Sequence, residues 1–443
     1  MNRKRDRGIG NAQDVLANLK SPAAGEAQIA AELPKMDDVM NVDFNNEKKV
    51  LCEKIIRDIN AVFLKDADLS SFEIIPKDTN CNKSPVVHVD HNLGLESWCA
   101  QHVYDHAHRT LIAHRRQTMQ QQLRTLQQQQ QSDALAKYLN VALLINPDVT
   151  TFWHIRRQLV QKNRLSINKE QQFSALVLSI KPKSNESFAY RRWLYSFQSA
   201  DAIDWPHEIS ICERAADRCA SNYHAWSHRQ WVLQNAPCLL QSELMRTEKF
   251  IRKHISDYSS YHYRQVLLGR AYELCFYMPD ESQPQWASLR ELLAHYQLNC
   301  PEPAEPDAEP LLQLLLPNLN RSSISGQRLR SFLYCCNVAA SDMRLCAEQR
   351  ALYGARDCFE LHRRASLKFI VEQCVRLLTG LASGPGLYLA PASGSQSNEL
   401  RKFDYDSHPF LVAVRRLEFE LGDKHRRWCN MHLNFGHHEQ GGN

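Results

Sequence analysis

The chain has 443 residues, 43% of them hydrophobic and 23% charged, with 54 basic against 49 acidic side chains. That composition supplies a large apolar core, and the near-balanced charge lacks the dense basic groove by which a helical array holds RNA. The longest apolar run, around Leu311–Leu316, is far short of the roughly 20 residues that cross a bilayer, so no integral membrane segment is expected. The amino terminus, Met1-Asn2-Arg3-Lys4-Arg5, has no apolar stretch behind it and does not read as a secretory leader.

In chain order, residues 1–45 are polar and poor in aromatics, and are predicted to be a disordered tail. From Glu47 to Leu64, apolar residues at Val50, Leu51, Ile55, Ile59, Val62 and Phe63 keep helical period. Phe72–Asp90 has strand or loop character, punctuated by Pro76 and Pro85. An amphipathic stretch then runs from Glu96 to about Arg116, followed by the low-complexity run Gln127–Gln131. Together, 46–132 form an N-terminal region of helices and loop with a glutamine-rich insertion.

Residues 133–298 hold a repeat. The clearest copy, Asn222–Leu233, reads Asn-Tyr-His-Ala-Trp-Ser-His-Arg-Gln-Trp-Val-Leu. Aligned on the arginine, four copies place Arg156, Arg191, Arg229 and Arg264 at intervals of 35, 38 and 35 residues. An aromatic stands three residues before each: Trp153, Phe188, Trp226 and Tyr261. Such a period accommodates two helices and two turns, so the expected architecture is all-α, a right-handed superhelical solenoid of stacked helical hairpins. Asn222, Ser184 and Asp257 stand where a helix N-cap belongs; the first copy has Val149 there. Pro147 and Pro182 each follow a helix and reset the chain. Tyr223, Trp226, Gln230 and Leu233 are predicted to make one buried face. The arginine, one turn from the aromatic, is predicted to join adjacent hairpins, with a neighbouring helix end offering carbonyls to the guanidinium.

After the array, 299–326 read as a proline- and acid-rich linker. Helical period resumes at Gln327–Leu378 within a C-terminal region, 327–435, that a linker at 380–398 interrupts. A last helix is expected over Pro409–Met431, and 436–443 form a tail. The fourteen cysteines show no disulfide framework and no CxxC pair, which suits reduced thiols in a cytoplasmic protein; Cys335-Cys336 reads as core. His102, His106 and His108 lack the further ligands that a zinc site needs, so no metal is expected in this chain.

The sequence Asn-Tyr-His-Ala-Trp-Ser-His-Arg-Gln-Trp resembles the repeat of protein prenyltransferase α subunits. Pro182-Lys183-Ser184 ahead of Phe188 and Arg191-Arg192-Trp193 resembles a second copy. The block Ser84-Pro85-Val86-Val87 with Leu93-Gly94-Leu95-Glu96-Ser97-Trp98-Cys99 is similar to the region before the repeats in one branch of that family, the α-subunit repeat-containing proteins. The resemblance covers roughly 47–277 and is weak in the C-terminal third. It implies an α-type subunit wrapped on a β partner of the Rab geranylgeranyltransferase type. Zinc and geranylgeranyl diphosphate would sit in that partner, with no cofactor in this chain. Rab GTPases or trafficking SNARE proteins would be the substrates. Carried over by position, Lys183, Tyr223 and His224 would face the diphosphate in a site shared with the partner. The counterparts of His224 in the other copies are Thr151, Glu186 and Ser259, so a histidine there is no requirement of the repeat. The resemblance also implies five or more copies, where the spacing shows four. A scaffold of helical repeats that escorts prenylation substrates, without a part in the chemistry, is the alternative.

Overall fold

The computed structural model describes residues 36–77, 84–120, 128–277, 286–298, 308–320, 324–380 and 403–433. The linker segments 299–307 and 381–398 and the tail from 434 lie outside them, as do residues 1–35. Among the described residues there are sixteen α-helices and three short strands, and the chain divides into two compact units, Met1–Val232 and Leu233–Asn443.

The first unit opens with α1 (Met36–Lys65), which starts inside the segment read as a tail. Strands β1 (Ser71–Ile75), β2 (Val86–Val89) and β3 (Asn92–Glu96) form a sheet ordered β1-β3-β2, parallel between β1 and β3 and antiparallel between β2 and β3. The two segments quoted for the upstream block therefore pair with each other: Val86 lies opposite Leu95. β1 is pinned to the repeats, since the Phe72 amide donates to Ser179 Oγ at 2.9 Å.

Helices α2 (Ser97–Gln120) and α3 (Gln128–Ile145) lead into the array: α4 (Thr150–Gln161), α5 (Ile167–Ile180), α6 (Asn185–Tyr195), α7 (Trp205–Arg218) and α8 (Tyr223–Asn235). As the prolines foretold, α3 and α5 stop at Ile145 and Ile180. One continuous cluster, from Cys52 through Phe72, Leu95, Leu144, Trp153 and Phe173 to Leu194, packs α1, the sheet and the first hairpins together. The helix-hairpin class is as expected.

The second unit contains α9 (Leu240–Lys253), α10 (Tyr258–Glu273), α11 (Ala287–His295), α12 (Glu309–Leu315), α13 (Gly326–Tyr353), α14 (Asp357–Leu378), α15 (Pro409–Phe419) and α16 (Asp423–His432). Three details differ from the sequence reading. The proline-acid segment 299–326 holds α12, whose Leu311, Leu312 and Leu315 are buried; a proline in the first turn is compatible with a helix. The period from Gln327 to Leu378 is two helices, because Gly354 at φ +77° and ψ −179° stops α13 in a conformation that suits glycine. Likewise Pro409–Met431 divides at Gly422, φ +105°. Cys335 and Cys336 are core, both fully buried. None of the described helices is long and apolar enough to cross a membrane.

Candidate functional site

The caps come first, because they place the helix starts. Ser184 Oγ accepts from the Ser187 amide at 3.2 Å, Asp257 Oδ1 from the Ser259 amide at 2.9 Å, and Asn222 Oδ1 from the Ala225 amide at 3.1 Å. Val149 supplies no side-chain cap. The repeat aromatic closes the same turn from behind. Trp153 Nε1 donates to the Pro147 carbonyl at 2.7 Å and the Tyr261 hydroxyl to the Ile255 carbonyl at 3.2 Å, each six residues back.

Each repeat arginine is nearly inaccessible, and three of them show how it is satisfied. It reaches back to the first helix of its own hairpin. Arg191 Nη1 donates to the Gln171 carbonyl and Ser174 Oγ, at 2.5 and 2.9 Å; Arg264 Nη1 donates to the Leu244 carbonyl and Thr247 Oγ1, at 2.5 and 3.0 Å. Both use acceptors 20 and 17 residues back. Arg156 instead uses Asn140 Oδ1 at 2.8 Å. The same guanidinium reaches forward to a buried acid. Arg156 Nε and Nη2 donate to Glu170 at 2.7 and 2.6 Å, Arg191 Nε to Glu208 at 2.8 Å, and Arg264 Nε to Asp342 at 2.6 Å. Carbonyls of the hairpin's own first helix thus serve beside a carboxylate of a later helix, where only a neighbour's carbonyls were expected. The acid was missed. Glu208, which burial alone would push up, is held below the carboxylate range by Arg191 and by hydrogen bonds from Arg191 and His228. Removing either partner would strand a buried charge, at a cost of about 3–5 kcal/mol.

The acid also takes a ring from the residue just before the next arginine in the array. Tyr190 donates to Glu170 at 2.6 Å, His228 Nε2 lies 2.6 Å from Glu208, and Tyr263 donates to Glu243 at 2.7 Å. His362 Nε2 stands 3.4 Å from Asp342. In all four pairs the ring follows the acid by 20 residues, a constant interval that the sequence displays and that the period of the arginines concealed. A fifth arginine follows, Arg363, which donates to buried Glu418. Tyr296 donates to the same carboxylate at 2.7 Å and His425 Nε2 lies 2.6 Å from it. Glu418 sits at about 2: burial opposes ionisation, but His425 and Arg363 favour it more strongly.

Glu418, His425 and Cys429 bring three metal-type donors within 4.8 Å of one another. A cation does not fit there, because Arg363 already occupies the carboxylate and Arg364 Nε donates to His425 Nδ1 at 3.1 Å. The histidines considered earlier go elsewhere. His106 Nε2 meets Glu53 at 2.7 Å, His108 packs against the Phe152 ring, and His102 is exposed.

Lys183, Tyr223 and His224 occupy the second and third copies of the array. Lys183 is exposed in the turn before α6; Tyr223 and His224 open α8, exposed and half-buried respectively, with ring centroids 5.5 Å apart. Tyr223, 71% exposed, is not part of the buried face assigned to it. As the first residue of its helix, just past the cap, it projects beyond the packed turn, whereas Trp226 one turn on is buried. The turn and the helix start are joined by one side chain. Asn222 Nδ2 donates to the Pro182 carbonyl at 2.6 Å and to the Ala215 carbonyl at 3.1 Å. Beside them Arg192 crosses from α6 to α8, its Nε donating to His228 Nδ1 at 3.1 Å. The structure therefore sets an exposed ammonium, a phenol and an imidazole on neighbouring helix starts, a combination suited to an anionic ligand.

Buried arginines joining helical hairpins of this length, with capped and variable helix starts, define a helical-repeat protein. The sequence comparisons agree: residues 205–236 and 240–271 match the protein prenyltransferase alpha subunit repeat, and these are the hairpins α7–α8 and α9–α10. The chain is 33% identical over 248 residues to protein prenyltransferase alpha subunit repeat-containing protein 1 of Danio rerio, covering 50% of this chain and 56% of that protein. It is 33% identical over 249 residues to the Homo sapiens protein of that name, covering 51% and 60%. Against geranylgeranyl transferase type-2 subunit alpha of Mus musculus, identity is 31% over 157 residues, or 33% of this chain and 27% of that one. The chain thus spans a little more than half the length of the repeat-containing proteins it is compared with here.

Proposed function

We propose that this chain is the α-type subunit of a heterodimeric protein prenyltransferase, acting with a β subunit of the Rab geranylgeranyltransferase type on C-terminal cysteines of Rab GTPases or trafficking SNARE proteins in the cytoplasm. The reading is supported by Lys183, Tyr223 and His224 standing at two helix starts that Asn222 joins, at positions where the repeat copies differ while the buried arginine does not. Zinc, bound in the partner, would lower the thiol pKa of the acceptor cysteine. The work of this chain is electrostatic. Lys183 meets the diphosphate end of a geranylgeranyl diphosphate, and the Tyr223 hydroxyl and the His224 ring donate hydrogen bonds to oxygens that gain charge as the carbon–oxygen bond breaks.

The test is co-expression with that β subunit, followed by transfer of radiolabelled geranylgeranyl to a Rab GTPase and to a SNARE carrying a C-terminal cysteine. A stable complex that transfers the label is expected. Lys183→Ala and His224→Ala, which touch no buried network, should keep the complex and lower kcat/KM by about tenfold or more. Absence of a complex and of transfer overturns the reading; undiminished transfer in both variants moves the chain to the role of escort.

A further inference from the structure

The residue that joins the two halves of the candidate site is itself out of reach of any ligand. Asn222 is fully buried, and its carboxamide makes three hydrogen bonds that face different ways. Oδ1 accepts from the Ala225 amide and caps α8, as an N-cap asparagine does. Nδ2 does what no cap requires: it donates backward to the Ala215 carbonyl in α7 and across to the Pro182 carbonyl, 40 residues earlier. Pro182 is the residue before Lys183, and Tyr223 is the residue after Asn222. One amide group thus fixes the backbone on both sides of the site, one residue from Lys183 and from Tyr223 and two from His224.

The other two caps carry no amide. Ser184 accepts from the amide and the hydroxyl of Ser187, and Asp257 from the amides of Ser259 and Ser260. Neither a serine hydroxyl nor an ionised carboxylate offers two N–H donors. The amide belongs to the one copy whose helix start carries the Tyr-His pair.

We propose that Asn222 is a positioning residue: its Nδ2 donors hold the turn bearing Lys183 in register with Tyr223 and His224, so that the ammonium, phenol and imidazole address one diphosphate. The inference rests on the reading of the site given above. The informative substitution is Asn222→Asp, because aspartate caps a helix as well as asparagine but offers no N–H and turns an oxygen toward the Pro182 carbonyl.

Two measurements test it on the complex with the β subunit. Hydrogen exchange of the amides at 183–187 should quicken at least tenfold in Asn222→Asp, while those in the middle of α8 keep their protection. Unchanged exchange at 183–187 overturns the tether, whether or not the complex is active. In prenyl transfer, kcat/KM should fall about as far in Asn222→Asp as in Lys183→Ala, and Lys183→Ala/Asn222→Asp should be little worse than Lys183→Ala alone, because the first residue acts through the second. Losses that multiply overturn the positioning role in favour of a general loss of structure. A wild-type complex without transfer overturns the functional reading instead, and exchange then decides the tether by itself.

Discussion

At the scale of single residues, the ring that follows each acid shows what the repeat tolerates. Tyr190 and Tyr263 present a hydroxyl, while His228 fills the same place with a ring nitrogen. The His228 tautomer is set by its surroundings: Arg192 donates to Nδ1, so Nε2 carries the proton that goes to Glu208. A second proton on the ring would face the Arg192 guanidinium at Nδ1 while Arg191 already shares the carboxylate. Burial, together with Arg191 and Arg192, outweighs the opposing effect of Glu208, and the ring titrates below its ordinary value. The sign follows directly. An unfolded histidine takes up a proton near pH 6.5, whereas the folded one does so only at lower pH. Stability present above that value is therefore lost as pH falls below it. His228→Tyr, which copies its neighbours, should narrow the difference in melting temperature between pH 7 and pH 5; an unchanged difference would show that other groups govern it. Further acid loss, below about pH 4.5, belongs to Glu208 and Glu418, whose folded values are depressed.

At the scale of elements, helices were legible and only some of their ends were. The apolar period located α1, α2 and the helices of the array, and the prolines marked where α3 and α5 stop. The break at Gly354 was hidden because apolar residues continue across it; the one at Gly422 was read through although Asp423–Arg427 carries no apolar residue. Gly354 tests this: at φ +77° a side chain is strained even with open space around it, so Gly354→Ala should cost about 1–2 kcal/mol, read as a lower midpoint in urea. An unaffected midpoint would mean that the α13–α14 turn adjusts freely. The caps Ser184, Asn222 and Asp257 were readable because residue type and position both follow from the physics of free amides. The acids were not. Glu170 follows Arg156 by 14 residues, Glu208 follows Arg191 by 17, and Asp342 follows Arg264 by 78, so no fixed offset from the arginine betrays them. Arg363 escaped for a related reason: α13 and the segments around it separate it from Arg264, and Glu360 stands where the aromatic should be.

At the scale of the molecule, the apparent unit of sequence and the unit of folding differ. The period suggests that each hairpin is a closed module, yet in the first unit Arg156 of α4 is neutralised by Glu170 of α5, and Arg191 of α6 by Glu208 of α7. The candidate site was read from the family resemblance, with irregularity beside it, since Lys183 and His224 stand out against copies that lack them, whereas the amide of Asn222 passed for one more cap. The pairing also dictates where the chain can be shortened. Excising 163–200 removes α5 and α6 together, taking Glu170 with Arg191, and leaves Arg156 to meet Glu208 as its new counter-ion. That deletion should give a protein with a single cooperative melt. Excising 163–181 alone removes an acid without its arginine, and circular dichroism should find a chain that no longer folds cooperatively. Equal behaviour of the two deletions would refute the rule. The chain is thus a sequence of half-joints, divisible only at points where every positive charge keeps a negative one to close on.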